Sequence, residues 1–447
     1  MKAKIKIIAR LSDVYMRLRD SERIVLLGTL WTVGIRVLGM AVTYLSLILF
    51  AGWMGDEQFG VYSYVYAVIV TLAIVPLFGF SYASVPLVAE YEVDKAFENL
   101  RGLLLFSTGF VIAVSVAVSL IFVLLVWYDI VGLGDYRAAI LVGCVSLPLF
   151  SLLSYLSEVS RGLGRAVAAF APLQVLMPLL VLMFFFLSFY KLGNLDATRA
   201  IWLWFLSMLL LVIAQLLYLC RLIQKRFPGR GISYEVRRWM RTAAQFFLVS
   251  LSIAVLFQMD ILILGLFEEP RFVGYYSAAA KTALLITIVL QSINALGARQ
   301  YATLYNEGSI EELQQLLHSL SRWIIWATIT IYLFLLLGGH FVLSIFGENF
   351  TQAYTVLITL TLGHAIAAVL GPVTVLLNVT GNQTVTAKVL TMAVVLGVVL
   401  NVLLIPFYGM EGAAIAMALT TIFWAFSLRG YVKRILSVET CLFFMKS

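Results

Sequence analysis

Long apolar runs recur through this chain of 447 residues, from about residue 24 to residue 431. Each run can form a helix that crosses the hydrocarbon core of a bilayer, which takes about 20 apolar residues. Only 12% of the residues are charged, whereas soluble globular domains carry roughly 25%. Because lipid offers no partner to an exposed backbone amide, such runs fold as helices. The sequence therefore predicts an all-α polytopic membrane protein.

We predict twelve transmembrane helices, here called spans 1 to 12, with connectors too short to hold a catalytic ectodomain. In the first half of the chain the predicted spans are 24–51, 59–86, 100–127, 138–158, 166–189 and 199–221. In the second half they are 241–266, 274–298, 321–345, 352–378, 384–406 and 411–431.

The cationic residues predict the topology. Of the 31 Lys and Arg residues, 25 lie on the side of the N-terminus, 4 lie in the opposite connectors, and Arg36 and Lys281 lie inside spans. Because cationic segments stay in the cytoplasm, both termini are predicted to be cytoplasmic, in a multi-pass protein of the cytoplasmic (inner or plasma) membrane. The net charge of +8 then faces anionic membrane lipids, and we expect no nucleic-acid partner.

The predicted organisation has two similar parts joined by a basic linker. Residues 1–23 place apolar residues at helical spacing among Lys and Arg, which indicates an amphipathic helix on the membrane surface; a disordered basic leader is the alternative. The predicted domains are this N-terminal segment 1–23, a six-helix bundle 24–223, a cytoplasmic linker 224–240, a second six-helix bundle 241–431 and a short cytoplasmic tail 432–447.

One turn occurs twice and supports this division. Gly60, Tyr62 and Ser63 match Gly274, Tyr276 and Ser277 at a constant offset of 214 residues. With six spans on each side of the linker, both halves begin on the same side of the membrane. The repeat is therefore parallel, related by an axis along the membrane normal. We interpret the turn as a marker of architecture and place the functional charges in the helices beside it.

Several stretches resemble the Wzx-type oligosaccharide flippases of the polysaccharide biosynthesis family, which belong to a superfamily shared with the multidrug and toxic-compound extruders. They are Arg36-x-x-Gly39, Gly52-x-x-Gly-Asp-Glu-x-Phe-Gly-x-Tyr62, Asp260-Ile-Leu-Ile-Leu-Gly265, Val273-Gly-Tyr-Tyr-Ser-Ala-Ala279 and Tyr305-Asn-Glu-Gly-Ser-Ile-Glu-Glu-Leu313. The resemblance implies two bundles around a central cavity. It also implies flipping of an undecaprenyl-pyrophosphate-linked oligosaccharide, coupled to H⁺ or Na⁺, alongside polysaccharide-assembly proteins.

Ionisable residues inside a membrane are costly, so each one suggests a function. We predict that Arg36, Lys281 and Arg299 line the cavity and bind an anionic headgroup. Arg36 can instead bond to helix carbonyls, and Arg299 can instead meet lipid headgroups at the inner end of span 8. Lys281 can form a structural salt bridge with Asp260, because the hairpin of spans 7 and 8 places both at a similar depth.

Other polar residues suggest ion coupling and gating. Asp260 and His364 are the candidate carriers of a coupling ion, although a lone histidine can also be packed and neutral. Glu158 and Arg161, three residues apart on span 4, form either a local ion pair or part of an inner gate. Gln258 is a candidate to bond sugar hydroxyls, or to join helices.

Some classes of function are disfavoured. The sequence shows no nucleophile constellation, phosphate-binding glycine loop or metal-ligand spacing, so we expect neither an enzyme nor a cofactor. A cation-coupled drug antiporter is the main alternative, with a membrane glycosyltransferase or polymerase as a remote one. The two intramembrane cations favour an anionic substrate over a cationic drug.

Overall fold

The computed structural model describes residues 20–129, 134–192, 195–227, 229 and 231–441. The side chains of residues 20–33, 36, 191, 192, 295, 296 and 299 lie outside the described part. The described chain is helical, with no β-strand. Most of the predicted amphipathic segment and the last residues of the tail lie outside the described part.

Helices occupy every predicted span, and several continue beyond the apolar run into the polar connectors. Those of the first half are Asp20–Leu72, Ile74–Leu77, Phe80–Val93, Phe97–Trp127, Arg137–Gly162, Ala166–Ala171, Met177–Leu192 and Ala197–Arg226, with a π-helical turn at Pro172–Leu176. Those of the second half are Val236–Phe267, Pro270–Ala283, Thr287–Asn306, Ile310–Ser344, Tyr354–Val369, Val373–Val379 and Gln383–Leu436.

Two of these helices are too long for a single crossing. A continuous helix of the 54 residues Gln383–Leu436 would measure about 80 Å at 1.5 Å per residue, well beyond the membrane core of about 30 Å. Non-helical backbone at Gly55 (φ 77°) and Gly409 (φ 53°) divides both long helices. A Cβ atom on Gly412 would lie 2.5 Å from the carbonyl oxygen of Leu404, so the chain reverses there.

The same reversal occurs at the first break. The rings of Phe50 and Tyr62 lie 5.9 Å apart, although twelve residues of straight helix would separate them by about 18 Å. The described residues contain ten helical segments that are long and apolar enough to span a membrane. Because the segments containing Gly55 and Gly409 each cross twice, the predicted twelve spans are confirmed.

The spans form two six-helix bundles in the predicted parallel arrangement around a central cavity. One end of the molecule holds the reversal at Gly55 and the connection between spans 7 and 8; we call it the turn end. The opposite end holds residues 231–235 between the halves; we call it the linker end. The main core is continuous across the halves, since it includes Ala67 and Tyr155 of the first half and Tyr276 and Ala413 of the second.

Candidate functional site

The two copies of the repeated turn pack directly against each other at the turn end. A Cβ atom on Gly60 would overlap the carbonyl oxygen of Pro270, and one on Gly274 would lie 2.7 Å from the carbonyl oxygen of Asp56. Only glycine permits this approach of two backbones. The motif that marks the repeat in the sequence is thus the contact between the halves.

Hydrogen bonds reinforce this contact. The Tyr275 hydroxyl donates to Asp56 Oδ2 at 2.5 Å, and Asn349 Nδ2 donates to the same oxygen at 3.0 Å. Beside them, burial and the nearby charges of Glu269 and Glu411 raise the pKa of Glu268 above its usual value. Lowering the pH therefore neutralises Glu268 before ordinary glutamates and reduces repulsion at the turn end.

At the linker end, a polar cluster joins spans 2 and 3 to the start of span 7. Glu235 accepts hydrogen bonds from the Tyr91 hydroxyl (2.9 Å), Asn99 Nδ2 (2.6 Å) and Arg238 Nη1 (3.2 Å). The indole nitrogen of Trp239, itself fully buried, donates to the Tyr91 hydroxyl at 2.8 Å. The sequence reasoning missed this cluster, because its members are separated by up to 148 residues.

Further contacts attach the linker to the first half. Arg238 Nη2 contacts both carboxylate oxygens of Glu90, at 2.5 and 2.8 Å. Arg101 donates to the carbonyl oxygens of Gly231 (3.2 Å) and Phe227 (2.5 Å). We call these contacts and the cluster around Glu235 the linker-end network.

Between the two ends lie adjoining cavities. One measures about 160 Å³ and the other about 530 Å³. Both are lined by Thr43 and Leu47 of span 1, Leu173 of span 5 and Lys281 of span 8. Walls from both halves of the chain make this the central cavity.

Lys281 is the only charged residue among the described residues that line either cavity. It lies eleven residues after the start of its helix at Pro270, or about 16 Å along it, near the middle of the membrane. No described carboxylate lies within the 4.0 Å of an ion pair. The structure thus places Lys281 on the cavity wall, and its role in binding a headgroup stays a prediction.

Three buried polar atoms on the wall of the smaller cavity have no hydrogen-bond partner among the described residues: Trp204 Nε1, Gln258 Oε1 and Ser277 Oγ. Roughly nine in ten buried polar groups in proteins have a partner, so a cluster of unpaired ones indicates a place for a polar ligand. Tyr62, Ser63 and Ser277 of the repeated turns also line this cavity. The interpretation of the turn as a marker of architecture alone was therefore too narrow.

Asp260 is 4% exposed and lies behind the cavity wall. The Tyr276 hydroxyl donates to its Oδ2 atom, whereas Oδ1 has no described partner. The salt bridge to Lys281 that the sequence allowed is not formed. Tyr276 and Ser277 are adjacent, so the partner of the buried carboxylate is next to a residue of the cavity wall.

The other candidate residues whose side chains are described do not line the cavity. Glu158 and Arg161 form the local ion pair that the sequence allowed, with 2.6 Å between oxygen and nitrogen. Both lie on span 4, so their contact does not join the halves. His364 is on span 10 and lines neither cavity. Arg36 and Arg299 lie in the helices of spans 1 and 8, and their side chains are outside the described part.

The class of protein follows from the fold. The chain superposes on an inward-facing multidrug resistance MATE family transporter of the MOP superfamily with a TM-score of 0.73 at 13% identity, covering 91% of this chain and 98% of that one. It superposes on the lipid II flippase MurJ, in an inward closed conformation, with a TM-score of 0.71 at 14% identity, covering 90% and 87%. The molecule is thus a polytopic membrane protein with the fold of these transporters.

Sequence then gives the family. Residues 25–298 match the model described as polysaccharide biosynthesis protein, and the chain belongs to that family. A MOP superfamily transporter from Pyrococcus furiosus also shares the fold, with a TM-score of 0.67 at 13% identity and coverage of 92% and 95%. No curated protein sequence matches this chain.

Proposed function

We propose that this protein flips a polyprenyl-pyrophosphate-linked oligosaccharide across the cytoplasmic membrane by alternating access, for the synthesis of a cell-surface polysaccharide. The observation that carries the proposal is Lys281, a cation in a cavity at mid-membrane depth with no described carboxylate within ion-pair distance. Membership of the polysaccharide biosynthesis family and the likeness to the lipid II flippase MurJ support the choice of substrate.

The cavity wall suits the two polar parts of such a substrate. The ammonium group of Lys281 can form charge-assisted hydrogen bonds with a diphosphate, and these are stronger than neutral ones. The unpaired atoms of Trp204, Gln258 and Ser277 can bond sugar hydroxyls. Because the sugar then leaves water without losing its hydrogen bonds, the cavity lowers the cost of crossing the bilayer.

Substrate entry requires the halves to move. The smaller cavity, which holds the unpaired atoms of Trp204, Gln258 and Ser277, measures about 160 Å³ and lies below the range of about 300–1,000 Å³ typical of ligand sites. In our proposal the bundles 24–223 and 241–431 rock against each other, with the linker end and both termini in the cytoplasm. Substrate reaches Lys281 from that side and leaves when the contact between Gly60 and Gly274 opens.

Asp260 is the best candidate for coupling to an ion, either H⁺ or Na⁺. Its Oδ1 atom is buried with no hydrogen-bond partner of good geometry among the described residues, and a buried carboxylate is stabilised by taking up a cation. We expect Asp260→Asn to fold normally yet to flip substrate at a rate that no longer responds to an imposed proton or sodium gradient. Tyr276→Phe should keep the response but alter the ion concentration that it needs. An Asp260→Asn variant that still responds to both gradients would exclude this role.

Proteoliposomes test the function itself. The purified protein should move a fluorescent polyprenyl-pyrophosphate saccharide from one leaflet to the other, measured by its accessibility to a membrane-impermeant quencher. The same lipid with its pyrophosphate replaced by a neutral link should move far more slowly, because it offers Lys281 no anion. Transport of a cationic dye, without movement of the saccharide lipid, would contradict the proposal.

Transport of a cationic dye is the result expected of a drug antiporter, which is the second candidate function. The observation in its favour is the buried Asp260 carboxylate, which can attract a cationic drug, together with the likeness of fold to a MATE transporter. Asp260 does not line the cavity and is hydrogen-bonded to Tyr276, whereas Lys281 lines the cavity directly. A cationic substrate would therefore meet the positive charge first, which favours the anionic one.

A further inference from the structure

An exposed apolar stripe follows one face of span 9, the helix Ile310–Ser344. Its largest members are between 62% and 86% exposed: Trp323, Trp326, Phe334, Leu337 and Phe341. Since this helix crosses the membrane, the stripe is the part of span 9 that contacts lipid acyl chains. Trp323 and Trp326 stand at its linker end, where tryptophan favours the boundary between acyl chains and headgroups.

A polar groove begins where the apolar stripe stops. It has a volume of about 520 Å³ and is lined by His318, Arg322, Trp323 and Trp326, with Gln314, Gln315 and Ser319. Arg322 Nη2 lies 3.0 Å from His318 Nε2. No described carboxylate lies within 4.0 Å of Arg322, which is exposed.

The described carboxylates around the groove do not compensate its positive charge. Glu439 is bound through both carboxylate oxygens by Arg429, at 2.8 and 2.9 Å, while its backbone pairs with the side chain of Gln314. Glu311 and Glu312 are exposed at the start of the same helix, about 15 Å along it from Arg322. Among the described residues that line the groove, the guanidinium group of Arg322 is therefore the one fixed charge.

We propose that this groove binds an anionic glycerophospholipid, with the headgroup phosphate on Arg322 and the upper acyl chain against Trp323 and Trp326. A guanidinium group pairs its parallel N–H groups with two phosphate oxygens. The indoles give the site its preference for a lipid, because a free phosphate gains nothing from them. The site is on the outer surface of span 9, separate from the central cavity, and does not depend on the proposed flipping activity.

Fluorescence quenching in proteoliposomes tests the proposal. Phosphatidylcholine vesicles receive a rising fraction of dibrominated phosphatidylglycerol or, in parallel, dibrominated phosphatidylcholine. The chain has nine tryptophans, so subtracting the signal of a Trp323→Phe, Trp326→Phe double variant isolates the pair in the groove. We expect dibrominated phosphatidylglycerol to reach half-maximal quenching at a fraction about fivefold lower than dibrominated phosphatidylcholine. A preference of this size is what the attraction of one arginine to an anionic lipid provides.

Two variants and one competitor decide the outcome. Arg322→Gln should lose the preference for phosphatidylglycerol, whereas Lys388→Gln, which removes an exposed cation near the same end of span 11, should keep it. Equal quenching by both lipids in the wild type, or an unchanged preference in Arg322→Gln, would overturn the proposal. Relief of quenching by inorganic phosphate would also overturn the proposal, because it indicates a phosphate site. Quenching by neither lipid would overturn it too, because it indicates a face covered by a second copy of the chain.

Discussion

Single glycines determine how closely the two halves approach at the turn end. Gly60 lies in span 2 and Gly274 in span 8. A methyl group added to either glycine would run into the backbone on the other side of the contact. The sequence could predict that these residues correspond to each other, because they recur at one offset. It could not predict that they touch, since a repeat reveals similar parts without revealing how they pack.

Gly60→Ala should therefore destabilise the closed molecule. The new methyl group would overlap the carbonyl oxygen of Pro270, and we expect a loss of about 1–3 kcal/mol, as for other overpacked contacts. The measurement is the unfolding temperature in detergent. Gly52→Ala is the matched control, because this glycine of the same connection has nothing within 4 Å of the new atom. Equal unfolding temperatures for the two variants would refute the role of the contact.

The charged residues show a second limit of sequence reasoning. Lys281 could be found because a lysine in an apolar run is rare and costly. Gln258 could be named as a candidate to bond sugar hydroxyls, but Trp204 and Ser277 could not be found, since they lie on other spans and nothing in the sequence links them to it. What distinguishes them is that their polar atoms are unpaired around one cavity, which is a property of the packing.

At the scale of helices, the linker end is held by polar contacts and the turn end by close backbone packing. Hydropathy could predict the twelve spans because lipid imposes one structure on any long apolar run. It could not locate the polar contacts that join the halves. Glu158 and Arg161 are close in sequence, but they pair on one helix, whereas Glu90 and Arg238 are distant in sequence and join the halves.

Tyr91→Phe should loosen the linker-end network. The hydroxyl group both donates to Glu235 and accepts from Trp239, so its removal leaves a buried indole N–H unpaired, at a cost of about 1–3 kcal/mol. Hydrogen exchange should become faster at residues 231–239 and at 88–101. Tyr234→Phe is the control, because Tyr234 is 59% exposed and has no described hydrogen bond through its hydroxyl. Unchanged exchange in Tyr91→Phe would show that the network does not hold the linker.

For the whole molecule, two contacts on opposite ends enclose one cavity with a single described charge on its wall. Contacts at both ends with a cavity between them are what alternating access requires, because only one end need open at a time. In our proposal the lysine selects the anion, the unpaired polar atoms replace water around the sugar, and the halves rock to expose each side in turn. The lipid groove on span 9 lies outside this cycle.

The role of Lys281 is the centre of this proposal, and the flipping rate of a polyprenyl-pyrophosphate saccharide in proteoliposomes tests it most directly. Lys281→Gln should lower that rate about tenfold or more, the loss expected for a buried hydrogen bond to a charged group. Lys281→Arg should retain most of the rate because the positive charge is kept, and Lys388→Gln should match the wild type. Unfolding temperatures in detergent confirm that all variants are folded. A folded Lys281→Gln protein that flips the saccharide lipid at the wild-type rate would contradict the proposal.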